Sequence, residues 1–254
     1  MTRPGPGHTT RLVNLRLLRD GMIIDEPGTE LWMQNGKIID EYHRWWSSKS
    51  QDQFHADSVI DCGGGIVAPG FIDIQINGAS GVSFSDQDVT NADVERVGRS
   101  LLQYGVTSFL PTLVSSSEQA YRSILGRLTV YDGDIEKGAT VLGYHLEGPF
   151  INPQQQGAHD ASVLKTPENG CASLEQVYGH DLSNVRLITL APELPGAVQA
   201  IYDARQRYPH ILFAIGHSNA TIEQCKEAID AGASCVTHMS VLIRLKLGTI
   251  TVNC

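Results

Sequence analysis

The stretch "GYHLEGPF", residues 143–150, decides how the fold of this chain is interpreted. The residues leading into it, "ATVLGY", are apolar and partly β-branched without a helical period, which predicts a buried strand. His145 and Glu147 follow two positions apart, and side chains at that spacing point to the same face of a strand. A glycine and a proline then end the strand. An imidazole and a carboxylate therefore face the same way where a core strand stops.

Composition excludes several classes of protein. The chain has 254 residues, 41% of them hydrophobic, and a formal net charge of −9. Nucleic-acid-binding domains usually carry a basic patch, so this balance argues against that class. The five cysteines are scattered, which favours neither a disulfide framework nor a cysteine zinc site. We expect a cytoplasmic protein, because the sequence has no signal-peptide pattern and no apolar run of membrane-spanning length.

The first 66 residues have the pattern of short strands. The apolar runs "RLVNLRLL" and "ELWMQNGKIIDEY" flank a turn-rich "DEPG". Asn35-Gly36 is a strong hairpin signal, because both residues tolerate a positive φ. Residues 43–57 are polar with two tryptophans, which is typical of a loop. We expect this segment to form strands that pack beside the rest of the protein, with no long helix.

Strand and helix patterns alternate from about residue 70 to residue 240. Six strand patterns are separated by five intervening segments. Such alternation predicts a parallel sheet, and the (β/α)8 TIM barrel is its commonest architecture, at about 250 residues. Only about six units fit, so the predicted fold is α/β, an incomplete TIM barrel. The predicted helix caps are Ser115 with Glu118, Ser173 with Gln176, and Thr221 with Gln224.

Polar side chains follow the predicted strands at their carboxyl ends, where barrel active sites lie. Glu147, His217 and His238 end the third, fifth and sixth strands. One carboxylate and two imidazoles form a standard ligand set for a catalytic divalent metal. Each residue alone is more typical of an ordinary strand end, and only the three together favour a metal site. His145 is interpreted as a hydrogen-bonded neighbour. The other polar residues at strand ends are Asp73, Gln75, Asn77, Glu193, Ser218 and Thr237.

Six short motifs then occur in a fixed order. They are "APGFIDIQING" at 68–78, "HLEGPF" at 145–150, "GAH" at 157–159, "APE" at 191–193, "GHS" at 216–218 and "THM" at 237–239. Over about residues 10–239, the chain resembles the N-acetylglucosamine-6-phosphate deacetylases of the amidohydrolase superfamily. The resemblance implies a metal-bearing barrel of the metal-dependent hydrolase type beside a small β-sandwich. It implies an N-terminal sandwich segment at 1–66, an incomplete barrel at 67–240 and a divergent tail at 241–254.

The resemblance also implies an activity and a site. That family hydrolyses the acetamide of N-acetyl-D-glucosamine 6-phosphate to glucosamine 6-phosphate and acetate in amino-sugar catabolism. By resemblance, Glu147, His217 and His238 hold one divalent metal ion, with Zn²⁺ expected. Ala158 and His159 match the family's substrate-binding positions, and His159 is expected to contact the sugar phosphate or nearby hydroxyls.

Two further expectations concern metal count and partners. Many amidohydrolases hold a second metal with an HxH pair on the first strand. Here that place reads "DIQ" at 73–75, which favours a single-metal site. The implied partner is the small-molecule substrate, with neither nucleic acid nor membrane, and a homodimer is left open.

After Met239 the sequence departs from the family pattern. Residues 240–254 read "SVLIRLKLGTITVNC", where the family has an Asn-Ala pair that binds substrate. The family's seventh and eighth strands and its general-base aspartate have no counterpart, so no catalytic residue is assigned and this form is expected to be inactive. One alternative is a non-catalytic truncated isoform that binds a partner or is degraded. Another is a dihydroorotase-like barrel hydrolase, against which the missing HxH pair argues.

Overall fold

A computed structural model of the chain describes residues 7–39 and 56–238. The chain divides into two compact units, Met1–Gly70 and Phe71–Cys254. The domain boundaries expected from the sequence stay predictions, and the divergent tail at 241–254 lies outside the described residues. None of the helices in the described part is both long and apolar enough to cross a membrane.

The first unit contains a five-stranded sheet. Its strands are β1 (Thr9–Arg19), β2 (Met22–Ile24), β3 (Leu31–Gln34), β4 (Lys37–Ile39) and β5 (Ser58–Val67). The long β1 pairs antiparallel with β2 and β3, and parallel with β5. The described part of this unit therefore supplies one layer, whereas a sandwich has two.

The predicted hairpin at Asn35-Gly36 is confirmed. Gln34 pairs with Lys37 across it, and the two loop residues have φ values of 52° and 74°. Asparagine and glycine accept this left-handed conformation, whose twist matches that of the flanking strands. The predicted loop at 43–57 lies largely outside the described residues.

The second unit alternates strands and helices. In chain order these are β6 (Phe71–Ile76), α1 (Asn91–Leu102), β7 (Val106–Val114), α2 (Glu118–Arg127), β8 (Thr140–Val141), β9 (Tyr144–Glu147), α3 (Cys171–Tyr178), β10 (Val185–Leu190), α4 (Ala197–Arg207), β11 (Leu212–Ile215), α5 (Ile222–Ala231) and β12 (Ala233–Val236). The strands pair in parallel in the order β6-β7-β9-β10-β11-β12, and the short β8 also pairs with β7. Within the described residues the sheet thus has six strand positions, which confirms the predicted incomplete barrel.

A continuous apolar core lies between this sheet and its helices. Strand β7 contributes Phe109 and Leu113, and the helices contribute residues such as Val94, Val97 and Ile124, all completely buried. On α1 the apolar residues recur at helical spacing, so one face of the helix packs on the sheet. Because parallel strands place their carboxyl ends at one edge, this packing brings the strand-end side chains to a common edge of the sheet.

One predicted helix cap is confirmed. Thr221 precedes α5, its side chain accepts from the Gln224 amide, and the Gln224 side chain completes the capping box. Gly232 ends the same helix with φ 117°, a conformation that glycine adopts without the strain of a β-carbon.

The other two predicted caps are wrong. Helix α2 begins after Ser117, whose hydroxyl accepts from the Ala120 amide, and not after Ser115. Three consecutive serines at 115–117 offer similar cap chemistry, and the hydroxyl next to the helix makes the bond. Helix α3 begins at Cys171, so Ser173 lies within its first turn, where its hydroxyl accepts from a preceding backbone amide.

Candidate metal centre

The three predicted ligands lie together, with both imidazoles directed at one carboxylate oxygen of Glu147. Glu147 ends β9, and His217 and His238 lie just beyond the ends of β11 and β12. The Nε2 atoms of the two histidines lie 3.0 and 2.9 Å from the Oε1 atom of Glu147. The side-chain amide of Gln75 on β6 donates to the same oxygen at 2.8 Å. Side chains from the first, third, fifth and sixth strand positions therefore meet there; the role of the three residues as ligands stays a prediction.

Glu147 is held as an anion inside the protein. The residue is 1% exposed. Burial by itself raises the pKa of its carboxyl, but the hydrogen bond from His217 and the charges of the surrounding imidazoles outweigh burial and hold the pKa at about 2. A buried carboxylate is costly unless donors or a cation accompany it. The groups around Oε1 meet that requirement.

The backbone decides which nitrogen of His217 carries the hydrogen. Its Nδ1 lies 2.9 Å from the carbonyl oxygen of Gln155, which can only accept. The hydrogen bond from Nε2 to Glu147 therefore requires the protonated imidazole, whereas in the neutral imidazole Nε2 presents a lone pair to the Glu147 carboxylate. Two lone pairs at this distance repel each other unless a proton or a metal cation lies between them. Metal-bound histidines show the same arrangement, with the far nitrogen donating to a carbonyl, so the donor set fits a divalent cation.

Both candidate histidine ligands have a left-handed backbone. The φ values of His217 and His238 are 50° and 54°. This conformation costs about 1–2 kcal/mol for a residue with a β-carbon, and such strain is concentrated at functional sites. A β-carbon on the preceding Gly216 would lie 2.7 and 2.8 Å from side-chain atoms of Thr189 and Thr237. Only glycine fits this close approach, so the backbone before His217 packs directly against the two threonine side chains.

His145 is a hydrogen-bonded neighbour of the site, as interpreted from the sequence. It is completely buried, with Nε2 2.7 Å from the Thr189 hydroxyl and Nδ1 3.2 Å from the Ile74 carbonyl. Burial lowers the pKa of its imidazole to about 4. The neutral ring therefore donates from Nδ1 to β6 and accepts from β10, and it joins three strands beneath the candidate ligands.

His159, predicted to bind substrate, lies at the same cluster. The metal-ligating atoms of Glu147, His159 and His217 lie within 4.8 Å of one another, and the two imidazole rings are 4.6 Å apart. The Nδ1 atom of His159 accepts from the Ser115 backbone amide at 3.2 Å. An amide can only donate, so Nδ1 carries no hydrogen and Nε2–H remains as a donor. The distances group His159 with the candidate ligands. Its tautomer, however, presents an N–H to the site, whereas a metal ligand needs a lone pair. Ala158 beside it is exposed.

Ser115 and Gln75 are site residues whose roles sequence patterns missed. The Ser115 hydroxyl lies 2.8 Å from Nδ1 of His159, in addition to the amide contact. Its spacing to Glu118 matched a helix cap, and no local signal connects it with a residue 44 positions later. The sequence marks Gln75 only as a polar strand-end residue at the place of the HxH pair, whereas in the structure its amide donates to the candidate ligand Glu147.

Two buried tyrosines hold the chain directly after Glu147. The hydroxyls of Tyr121 on α2 and Tyr178 on α3 donate to the Gly148 carbonyl at 2.9 and 2.8 Å. Gly148 has φ 79°, and a β-carbon there would lie 2.2 Å from the Ser115 hydroxyl oxygen. The helices of the core thereby position the end of the strand that carries the carboxylate.

Parallel strands that carry a buried carboxylate and imidazoles at their carboxyl ends define the class of metal-dependent barrel hydrolases. The chain belongs to the amidohydrolase family, whose model matches residues 66–252.

Individual relatives agree with this family. The chain is 41% identical to an N-acetylglucosamine-6-phosphate deacetylase of Danio rerio, over 91% of this chain and 55% of the relative. It is 40% identical to the Homo sapiens protein of the same name, over 90% and 54%. The crystal structure of N-acetylglucosamine-6-phosphate deacetylase from Pasteurella multocida superimposes with a TM-score of 0.67 at 27% identity, over 91% of this chain and 57% of that one. The chain thus spans about half the length of the curated relatives it matches.

Removing one of the two tyrosine hydroxyls that donate to the Gly148 carbonyl tests how the core supports the site. Tyr178→Phe is expected to lower the free energy of unfolding by about 0.5–1.5 kcal/mol, because a buried hydrogen bond is lost without a change in shape. Tyr202→Phe, at a side chain that is 53% exposed, is the matched control and is expected to change nothing. Urea unfolding of both variants measures the difference; equal midpoints would show that the hydroxyl of Tyr178 is dispensable.

Proposed function

We propose that this site serves the metal-dependent hydrolysis of the acetamide of N-acetyl-D-glucosamine 6-phosphate, giving glucosamine 6-phosphate and acetate. The observation that carries the proposal is the convergence of His217 Nε2 and His238 Nε2 on one oxygen of Glu147. The names of the relatives at 40–41% identity support the substrate. A relative from Escherichia coli O157:H7, 33% identical, is named N-acetylgalactosamine-6-phosphate deacetylase, so the galactose-type sugar is a second candidate.

Glu147, His217 and His238 would hold one Zn²⁺. Two imidazole nitrogens with one carboxylate oxygen are typical of catalytic zinc, which keeps a further position open. Gln75 places an amide N–H, and no imidazole, at the first strand, which favours one ion over two. When bound, such an ion lowers the pKa of water and polarises a carbonyl group.

His159 would orient the substrate through its Nε2–H. Its ring lies edge-on to that of His217, with the ring centroids 4.6 Å apart, so the donor would be near the metal ion and near an acetamide carbonyl bound to it. A fixed donor of this kind stabilises negative charge that develops on the carbonyl oxygen. Ser115 maintains the required tautomer by donating its amide to Nδ1. The sequence-based expectation, contact with the sugar phosphate or nearby hydroxyls, stays a prediction, and the sugar-binding test below separates the two.

Zinc content tests the metal site. The 254-residue chain is expected to retain about one zinc per chain after dialysis, and His217→Ala is expected to retain almost none. His210→Ala is the matched control, because among the described residues that imidazole hydrogen-bonds to the Leu182 carbonyl and packs edge-on to Tyr208, neither of which is a site residue. Elemental analysis gives the result, and equal zinc in the native chain and in His217→Ala would contradict the site.

Sugar binding tests the role of His159 without requiring turnover, which the sequence predicts to be slow. His159→Ala is expected to weaken zinc-dependent binding of N-acetylglucosamine 6-phosphate and of unphosphorylated N-acetylglucosamine by a similar factor, about tenfold for one lost hydrogen bond. His180→Ala, whose side chain is 84% exposed, is the control. Titration calorimetry measures both sugars, with acetate release recorded in parallel. A loss confined to the phosphorylated sugar would place His159 at the phosphate.

An exposed apolar edge favours a homodimer, or a non-catalytic binding role as the alternative function. Among the described residues β6 pairs only with β7, and Phe71, Ile72 and Ile74 are 70%, 60% and 51% exposed. Ile72 and Ile74 lie on the same face of the strand, and exposed apolar surface of this kind marks contact sites. Ile72→Lys is expected to shift sedimentation equilibrium toward the monomer, while Ile135→Lys, at an equally exposed position (60%), leaves it unchanged. A native chain that sediments as a monomer argues against the homodimer.

A further inference from the structure

Glu193 makes an unusual set of contacts at the carboxyl edge of the sheet. It lies three residues beyond the end of β10 and is half-buried. One carboxylate oxygen accepts from the Asn152 side chain at 2.8 Å and from the Asn219 backbone amide at 2.7 Å. The other accepts from the Ser218 hydroxyl at 2.6 Å. The three donors come from two different segments, one after β9 and one after β11.

The partners of Glu193 lie around His217, although Glu193 itself makes no hydrogen bond to it within the described residues. Ser218 and Asn219 follow His217 directly in the chain. The backbone amide of Asn152 donates to the His217 carbonyl at 3.0 Å. The Asn152 side chain also caps the short turn Pro153–Gln155, and the carbonyl of Gln155 accepts from His217 Nδ1. One carboxylate is therefore connected with the backbone of His217 and with the group that orients its imidazole.

His217 needs such support because its backbone is left-handed, with φ 50°. A residue with a β-carbon leaves this conformation unless its surroundings over-determine it. An ionised carboxylate suits this task, since it accepts several short, charge-assisted hydrogen bonds at once. A neutral side chain of the same length has a single acceptor oxygen.

We propose that Glu193 is a positioning residue for His217. It holds the segment after β11 against the segment after β9, and so directs Nε2 of His217 toward the Glu147 carboxylate. The proposal rests on the metal site of the proposed function. Glu193 contacts neither Glu147 nor His238 in the described residues, so it acts through His217 alone.

Glu175 provides a matched comparison. It is 6% exposed, and its carboxylate accepts from the Tyr208 hydroxyl at 2.6 Å and pairs with Arg207 at 2.9 Å. Within the described residues its contacts join α3 with the end of α4, and none of its partners is a site residue. Loss of either carboxylate is expected to reduce stability, but only Glu193 is connected with a candidate metal ligand.

Co²⁺ titration separates positioning from general stability. The metal-free 254-residue chain and its variants are titrated with Co²⁺, whose visible absorption reports the ligand geometry. Glu193→Gln is expected to weaken Co²⁺ binding about 10–100-fold and to change the spectrum. Glu175→Gln is expected to lower the melting temperature while affinity and spectrum stay as in the native chain. Asn152→Ala, which removes one of the three donors, gives a smaller change in the same direction and serves if Glu193→Gln does not fold.

A second readout uses the metal-free protein. Hydrogen exchange of the peptide that contains residues 217–219 is expected to speed up in Glu193→Gln and to stay unchanged in Glu175→Gln. Native affinity, spectrum and exchange in Glu193→Gln and Asn152→Ala would overturn the inference and leave the metal site intact. Equal weakening by Glu175→Gln would assign Glu193 to general stability and overturn it as well. A native chain that binds no Co²⁺ would overturn the metal site itself, and the inference with it.

Discussion

The interaction on which this structure depends is the gathering of three nitrogen atoms around one buried oxygen of Glu147. An ionised carboxylate removed from water costs several kcal/mol unless its partners are in place. Those partners come from strands that are far apart in the chain, namely β6, β11 and β12. Parallel pairing solves this problem, because it brings every carboxyl strand end to one edge. The sheet order is thus what makes the buried charge tolerable.

The support for this charge extends outward in successive contacts. His145 and Thr189 join β6, β9 and β10 beneath it, and the Thr189 hydroxyl lies 2.8 Å from that of Thr237, which precedes His238. On the helix side, two tyrosine hydroxyls hold the Gly148 carbonyl. Each group satisfies its own hydrogen-bonding demand inside a low-dielectric interior, where an unpaired polar group is costly. A polar interior of this kind specifies one arrangement of strand ends, whereas apolar packing alone tolerates several.

Local patterns were sufficient for the strand ends but not for the contacts among them. The alternation and turn residues around β9 placed Glu147 correctly, because the period of two and the following glycine act over only a few positions. The bond between Ser115 and His159 depends on two segments meeting in space, and a cap pattern nearby gave a plausible but wrong role for the serine. Glu193 was recognisable only as a strand-end residue, since its three partners lie 25 to 41 positions away.

The backbone, more than the side chains themselves, assigns different chemistry to neighbouring imidazoles. A carbonyl oxygen at Nδ1 of His217 keeps a hydrogen there, so that the neutral ring turns a lone pair toward Glu147, which suits the proposed metal ion. An amide N–H at Nδ1 of His159 does the opposite and turns an N–H into the site, which suits the proposed contact with substrate. The two rings are 4.6 Å apart, so burial and nearby charge alone do not separate their roles. What separates them is which backbone group the fold places behind each ring, and that choice follows from the two loops that carry Gln155 and Ser115.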